Sequence, residues 1–174
     1  MISIDGGTGL VTGATLASPG NVIQVQNLTI STNNVRVTDA SSSNHQTWFT
    51  NYNDAGTPVY QRIQFTPKFA TSKLLLLAIG GIRYDTGTTG HAGSLQVRII
   101  DVTNSNTEVA YTKYAMYAYT GGTNRDSGNW TCMGHIDASS TTMRQYDVQY
   151  YFDGEQAYRH GGQGDAITVI EIAA

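Results

Sequence analysis

Cysteine is almost absent from this 174-residue chain, which contains Cys132 alone. A single cysteine excludes an intrachain disulfide, and it excludes a zinc site built on several thiolates. A catalytic thiol would need a neighbouring base, yet His135 lies three residues on and therefore on the opposite face of a strand. We interpret Cys132 as a small buried hydrophobic residue.

Charged residues are scarce as well, at 13% of the chain against a usual ~25%. The net charge is −3, and the few lysine and arginine residues are scattered singly along the sequence. Proteins that bind nucleic acid carry a basic patch or stripe. The charge pattern therefore excludes a nucleic-acid partner.

Long apolar runs are missing too. The longest, residues 74–79, is far shorter than the ~20 residues that a membrane-spanning helix needs. The N-terminus has neither a basic start nor an apolar stretch, so we expect no signal peptide and no membrane insertion.

Catalytic and metal-binding motifs are not found. The sequence has no phosphate-binding loop, no His-Glu-x-x-His and no Gly-x-Ser-x-Gly. His45, His91, His135 and His160 show no metal-ligand spacing, although a site assembled from distant loops stays open. No pair of carboxylates specifies a glycosidase. We expect a protein that is not an enzyme and that carries no cofactor and no metal.

The chain is rich in glycine, threonine, serine and asparagine, and it has 11 tyrosines. Short alternating or apolar segments recur between turn residues, and no window indicates a helix. The segments predicted as strands are residues 22–30, 35–37, 61–65, 74–79, 95–102, 107–110, 144–152 and 166–172. About eight to ten strands predict an all-β sandwich, jelly roll or barrel.

Residues 1–20 differ from the rest because they are rich in glycine and threonine and carry one charge, Asp5. Their scattered apolar side chains would give an extended arm something to bury against a partner. The alternative to such an arm is a flexible terminus. We divide the chain into this anchoring arm and a head domain at residues 21–174. The apolar residues of the arm are Ile2, Ile4, Leu10, Val11 and Leu16.

Aromatic residues stand beside polar ones in three segments interpreted as exposed loops. Such mixtures suit glycan or protein contact, because a large apolar face and directional hydrogen bonds combine there. The alternative is that these aromatics plug the ends of a barrel or a subunit interface. The candidate binding residues are Trp48, Tyr52, Arg125, Asp126, Trp130, Tyr158, Arg159 and His160.

Three stretches carry a resemblance to a known family: SKLLLL at 72–77 before Gly80-Gly81, YDVQYY at 146–151 before a glycine turn, and ITVIEIA at 167–173. Together they resemble the small β-domains of tail fibres and other surface proteins of tailed bacteriophages. The resemblance implies an all-β jelly roll like the complement globular head or tumour necrosis factor, assembled as a homotrimer, with aromatic residues around the threefold axis.

The same resemblance implies a virion structural protein at the virion surface, made in the host cytoplasm. As a fibre, it would dock to tail or capsid proteins through residues 1–20 and expose loops for recognition of a host-surface glycan or protein. As the alternative, it would be a capsid decoration protein that stabilises the shell, which the short arm favours. A glycan depolymerase is less favoured because no acid pair is present, and a secreted lectin is disfavoured by the missing signal peptide.

Overall fold

The structure, a computed structural model, describes residues 3–4, 11–12, 18–29, 36–38, 48, 62–85, 91–120, 125–153, 157–158 and 165–174. Every regular element in these ranges is a β-strand. The strands are β1 (Ser3–Ile4), β2 (Val11–Thr12), β3 (Val22–Thr29), β4 (Arg36–Thr38), β5 (Ile63–Phe65), β6 (Lys73–Asp85), β7 (His91–Asp101), β8 (Thr107–Thr120), β9 (Arg125–Asp137), β10 (Arg144–Asp153), β11 (Ala157–Tyr158) and β12 (Ala166–Ile172).

The two main sheets are antiparallel throughout, and their strand order is that of a jelly roll. One sheet has the order β5-β10-β7-β8, and the other has β3-β12-β6, with β9 on the far side of β6. The short strand β11 pairs with the C-terminal part of β6, and β4 pairs with β11. The eight principal strands are β3, β5, β6, β7, β8, β9, β10 and β12. Renumbered 1 to 8 along the chain, they give the orders 1-8-3-6 and 2-7-4-5. The predicted all-β jelly-roll sandwich is confirmed.

The core lies between these two sheets and follows the alternation expected of half-buried strands. In β6 the side chains of Leu74, Leu76 and Ala78 are fully buried, whereas Leu75 and Leu77 are half-buried on the opposite face. A continuous apolar run is typical of a strand buried on both faces, and residues 74–79 depart from that expectation because one face is only half-buried. A continuous apolar run here serves two surfaces, the core and the outside of the sheet.

One side of the sandwich is closed by β8 and β9, which belong to different sheets. The Thr112 hydroxyl donates to the Thr131 carbonyl at 3.1 Å. A Cβ at Gly134 would lie 2.7 Å from the Cβ of Ala110 and 2.7 Å from the Val109 carbonyl oxygen. Only glycine lets the two backbones approach this closely.

Strand boundaries agree with the predicted ranges where alternation is clean, and the pairing of β7 with β8 shifts register between Ile99 and Ile100. The largest omission is β9, thirteen residues that pair with β6 along its whole length. Residues 125–130 were interpreted as a polar loop. Inward-facing Trp130 and Cys132 mark the strand's two-residue period, but serine, asparagine and glycine around them obscure it.

Candidate functional site

The outward side of strands β3, β12, β6 and β9 forms a broad apolar surface, which we call the sheet face. Two register rows cross it from β3 to β9: Val25–Ile170–Leu75–His135 and Asn27–Thr168–Leu77–Met133. A third row contains Ile79. The apolar members are Val25, Ile170, Leu75, Leu77, Met133 and Ile79, of which Met133 is 62% exposed and Val25 58%.

The sheet face is large and nearly uncharged. The face is four strands wide, at ~4.8 Å per strand, and six or seven residues long, at ~3.3 Å per residue. Its projected area is therefore on the order of 400 Å². None of the described residues in the three rows is acidic, lysine or arginine. A charged pair, Lys73 with Asp137, marks one end of the face. The largest apolar patch on a typical monomer covers about 300–600 Å² and is often a contact site.

A buried carboxylate organises the end of the sandwich from which the arm leaves. Glu171 of β12 is fully buried and accepts hydrogen bonds from the amides of Lys68 (2.9 Å) and Phe69 (3.0 Å). The Ser72 hydroxyl and the Gln24 amide, at 2.6 Å, also donate to it. Burial raises the pKa of Glu171, but these hydrogen bonds outweigh burial and hold the pKa below its usual value.

The turn before β3 is hydrogen-bonded to the end of β12. The Gly20 amide donates to the Ala173 carbonyl, and the Ala173 amide donates to the Asn21 carbonyl, both at 2.8 Å. Gly20 has φ +85°, the left-handed region that favours glycine, so the turn before β3 is fixed by the sequence Pro19-Gly20.

A second surface lies over the outer side of the sheet β5-β10-β7-β8. Half-buried Trp48 packs on the guanidinium of Arg98, whose Cζ is 4.2 Å from the centre of the indole. Tyr111 of β8 and Tyr151 of β10 flank the indole, with ring centres 5.9 and 5.6 Å away. We call Trp48, Arg98, Tyr111 and Tyr151 the Trp48 cluster.

Cys132 is the expected core residue. Its side chain is fully buried, while His135 points to the sheet face on the other side of β9. Desolvation raises the pKa of the thiol, so the reactive thiolate is disfavoured at neutral pH. The interpretation of Cys132 as a buried hydrophobe is confirmed.

The predicted binding residues do not form one site. Trp130 is a core residue that is 3% exposed and packs edge-on against Tyr150 at 5.6 Å, so its prediction as an exposed binding residue is wrong. The local sequence shows a polar loop, but pairing with β6 turns this side chain inward. Trp48 is the predicted binding residue whose side chain the structure places on an outer surface.

The other predicted residues are located only in part. Arg125 and Asp126 begin β9 opposite Asp85 and Tyr84, and Tyr158 lies in β11. In the arm, Ile4 and Val11 are register partners in the β1–β2 pair. The predictions for Tyr52, Arg159, His160, Ile2, Leu10 and Leu16 lie outside the described residues.

Sequence reasoning missed most of the residues that build these surfaces. Met133 and His135 lie in the unpredicted strand β9. Arg98 and Gln149 lie in predicted strands, but no local signal brings the two side chains together. Within the described ranges, no cluster of three potential metal ligands occurs, and no helix could span a membrane.

Comparisons with known proteins give weak likenesses only. No family model matches the chain, and no curated protein matches it. Among solved structures it is similar to infectious bursal disease virus, Gx strain (14% identity, TM-score 0.38), over 98% of this chain and 41% of that one. A mutant VP2 protein of the same virus has 14% identity and TM-score 0.34, over 98% and 40% of the chains.

A third likeness is to an arabinose-bound α-L-arabinofuranosidase, with 15% identity and TM-score 0.24, over 92% of this chain and 23% of that one. The chain thus spans less than half the length of these solved chains. At such identities and scores the likenesses carry no functional conclusion, and the fold assignment stands on the strand order.

Proposed function

We propose that this chain is a structural protein of a virion surface that assembles as a homotrimer through the sheet face. Residues 1–20 dock it to other virion proteins, and its outer surfaces contact the host. The observation that carries the proposal is the sheet face itself, where exposed Met133 and Val25 border half-buried leucine and isoleucine side chains. We propose no enzymatic role.

The partner that fits this face best is another copy of the same chain. A nearly uncharged surface can be covered by another copy of the chain without leaving buried charges unpaired. A specific contact buries about 800 Å² on each partner. In a cyclic trimer each copy makes two heterologous contacts, so the sheet face of one copy would pack against a different surface of its neighbour, and flanking residues would supply the remaining area. The number three comes from the resemblance to complement-head and tumour-necrosis-factor jelly rolls.

A matched pair of substitutions tests the assembly. Met133→Asp places a carboxylate in the middle of β9, at one edge of the sheet face, whereas Met143→Asp makes the same change at a 40% exposed position before β10. The wild-type protein and Met143→Asp should sediment at about 56 kDa, three times the 18.8 kDa chain. Met133→Asp should be a folded monomer at micromolar concentration, with an unchanged circular dichroism spectrum.

Two results contradict this proposal. One is a wild-type protein that sediments as a monomer at micromolar concentration. The other is a Met133→Asp variant that stays as trimeric as Met143→Asp, which would show that the sheet face is not the interface.

The place on the virion is a separate question. Gold-labelled antibody at the tail would support a host-recognition fibre, and label over the head would support capsid decoration. Deleting residues 1–20 should leave a folded head that virions no longer incorporate. Virions that still carry the truncated protein would show that the arm is not the anchor.

A further inference from the structure

A histidine lies on the most exposed part of the sheet face. The alternation that turns Cys132 of β9 into the core turns Met133 and His135 outward, and both are exposed. His135 is the register partner of half-buried Leu75 on β6. Met133, at 62% exposure, is two residues away on the same strand, which is about 7 Å. A partner that covers Met133 therefore also reaches His135.

The charged groups beside His135 on the sheet face are already paired. On β6 the outward residue beyond Leu75 is Lys73, which forms an ion pair with Asp137 of β9. Lys73 lowers the pKa of Asp137 by its hydrogen bond and its charge, and the charge of His135 contributes to the lowering. Arg144 donates to the main-chain carbonyl of Asp137 at 3.3 Å. The carboxylate within reach of His135 thus already has a cationic partner.

The other strands packed against β9 bring cations or point elsewhere. β8 lies along the far side of β9, and the ionisable side chains described on it are Glu108, Tyr111 and Lys113. Glu108 forms an ion pair with Arg98 at 3.7 Å, and Tyr111 belongs to the Trp48 cluster, so both face the outer side of the other sheet. β7 contacts β9 from inside the sandwich. Within the described ranges, neither strand brings a second carboxylate to the sheet face.

This arrangement treats the two charge states of His135 differently. A neutral imidazole can be covered by an apolar partner at little cost, whereas an imidazolium must lose its water without gaining a carboxylate that is not shared. A histidine side chain acquires its positive charge between about pH 8 and pH 5. Acid therefore adds one positive charge to each sheet face, in rows that otherwise hold none among the described residues.

We propose that His135 makes the assembly through the sheet face sensitive to pH. Neutral His135 lies in the contact between copies at neutral pH, and its protonation drives the copies apart in acid. The inference rests on the proposed assembly and names the regulation of that same surface.

Sedimentation of the full chain over a concentration series, at about pH 7.5 and about pH 5, measures the dissociation constant of the trimer in both charge states. The wild-type constant should rise at least about tenfold at the lower pH, because each contact then buries an imidazolium. The chain should stay folded by circular dichroism, since this pH lies above the ordinary glutamate pKa of about 4.3 and leaves Glu171 ionised.

Two variants separate His135 from the other titrating groups. His135→Gln keeps a polar side chain without the charge change, so its dissociation constant should be the same at both pH values. The matched control replaces the other three histidines, His45, His91 and His160, by glutamine and leaves His135 as the only one. This control should keep the full wild-type response to acid.

The inference is overturned if the wild-type constant does not change with pH, or if His135→Gln dissociates in acid as the wild type does. A control variant that has lost the response would also overturn it, because another histidine would then be responsible. A wild-type protein that is monomeric already at the higher pH overturns the assembly together with this inference. A trimer that is indifferent to acid overturns the inference alone.

Discussion

Replacing Glu171 by glutamine should destabilise the head strongly, although the side chain keeps its size. The carboxylate links β12 to β3 through Gln24, and to the turn before β6 through the amides of Lys68 and Phe69 and the hydroxyl of Ser72. All of these groups donate, and a glutamine has only one acceptor oxygen to receive them. Its NH₂ group would face donors instead.

The expected loss follows from these contacts. A hydrogen bond to a charged group contributes about 1.5–3 kcal/mol, and a buried donor left without a partner costs about 1–3 kcal/mol. Because the donors share one carboxylate, their contributions do not add fully. We expect Glu171→Gln to lower the free energy of unfolding by about 2–4 kcal/mol at pH 7.

The loss should depend on pH with a definite sign. The pKa of Glu171 is lowered in the folded protein, where its hydrogen bonds outweigh desolvation. A carboxyl with a depressed folded pKa contributes its full stability above its unfolded pKa, about 4.3, and loses that contribution as the pH falls through the folded pKa. The difference between the wild type and Glu171→Gln should therefore shrink below about pH 4.

Urea unfolding followed by circular dichroism, at one protein concentration, measures both effects. Glu108→Gln is the matched control, because Glu108 has 46% of its side chain exposed, and we expect a change within about 0.5 kcal/mol. The reasoning would be refuted by a Glu171→Gln variant as stable as Glu108→Gln. A difference that stays constant down to pH 3 would refute the assigned direction of the pKa shift.

Three further predictions concern the packing of the core. Leu76→Ala removes a fully buried side chain from β6 and should cost about 2–5 kcal/mol in urea unfolding. Gly134→Ala drives a methyl group into the backbone of β8 and should cost about 1–3 kcal/mol, whereas Gly81→Ala, whose nearest neighbour would be 3.6 Å away, should melt within a few degrees of the wild type. Cys132 should react with a thiol reagent such as dithionitrobenzoate only at the rate of unfolding, because it is fully buried and its pKa is raised; rapid labelling of the native protein would contradict this.

The two outer surfaces of the sandwich differ in chemistry, and this difference bears on function. The sheet face is apolar with exposed Met133 and Val25, as suits a permanent contact between copies. The opposite sheet carries Arg98 and Gln149 in a hydrogen-bonded arrangement beneath Trp48, and it is therefore more polar. A trimer built on the first surface would present three copies of the second.

Much of the fold could be predicted from local patterns. The strands with clean alternation or clear turns, such as β10 and β12, agree with their predicted ranges to within one residue. The all-β class and the buried state of Cys132 also follow from the sequence. These properties depend on near neighbours along the chain, since a two-residue period and turn chemistry are visible within a short window.

The surfaces depended on contacts between distant segments. Ser72 meets Glu171 across 99 positions, and Arg98 meets Gln149 across 51. Pairing with β6 turned Trp130 from a presumed loop residue into a core residue, and the same pairing exposed Met133. The local sequence specifies that successive side chains of a strand point to opposite sides. The sheet that packs against the strand decides which of those sides becomes core. Strand periodicity was therefore a property of the sequence, while the apolar face, the buried carboxylate and the Trp48 cluster were decided by the tertiary structure.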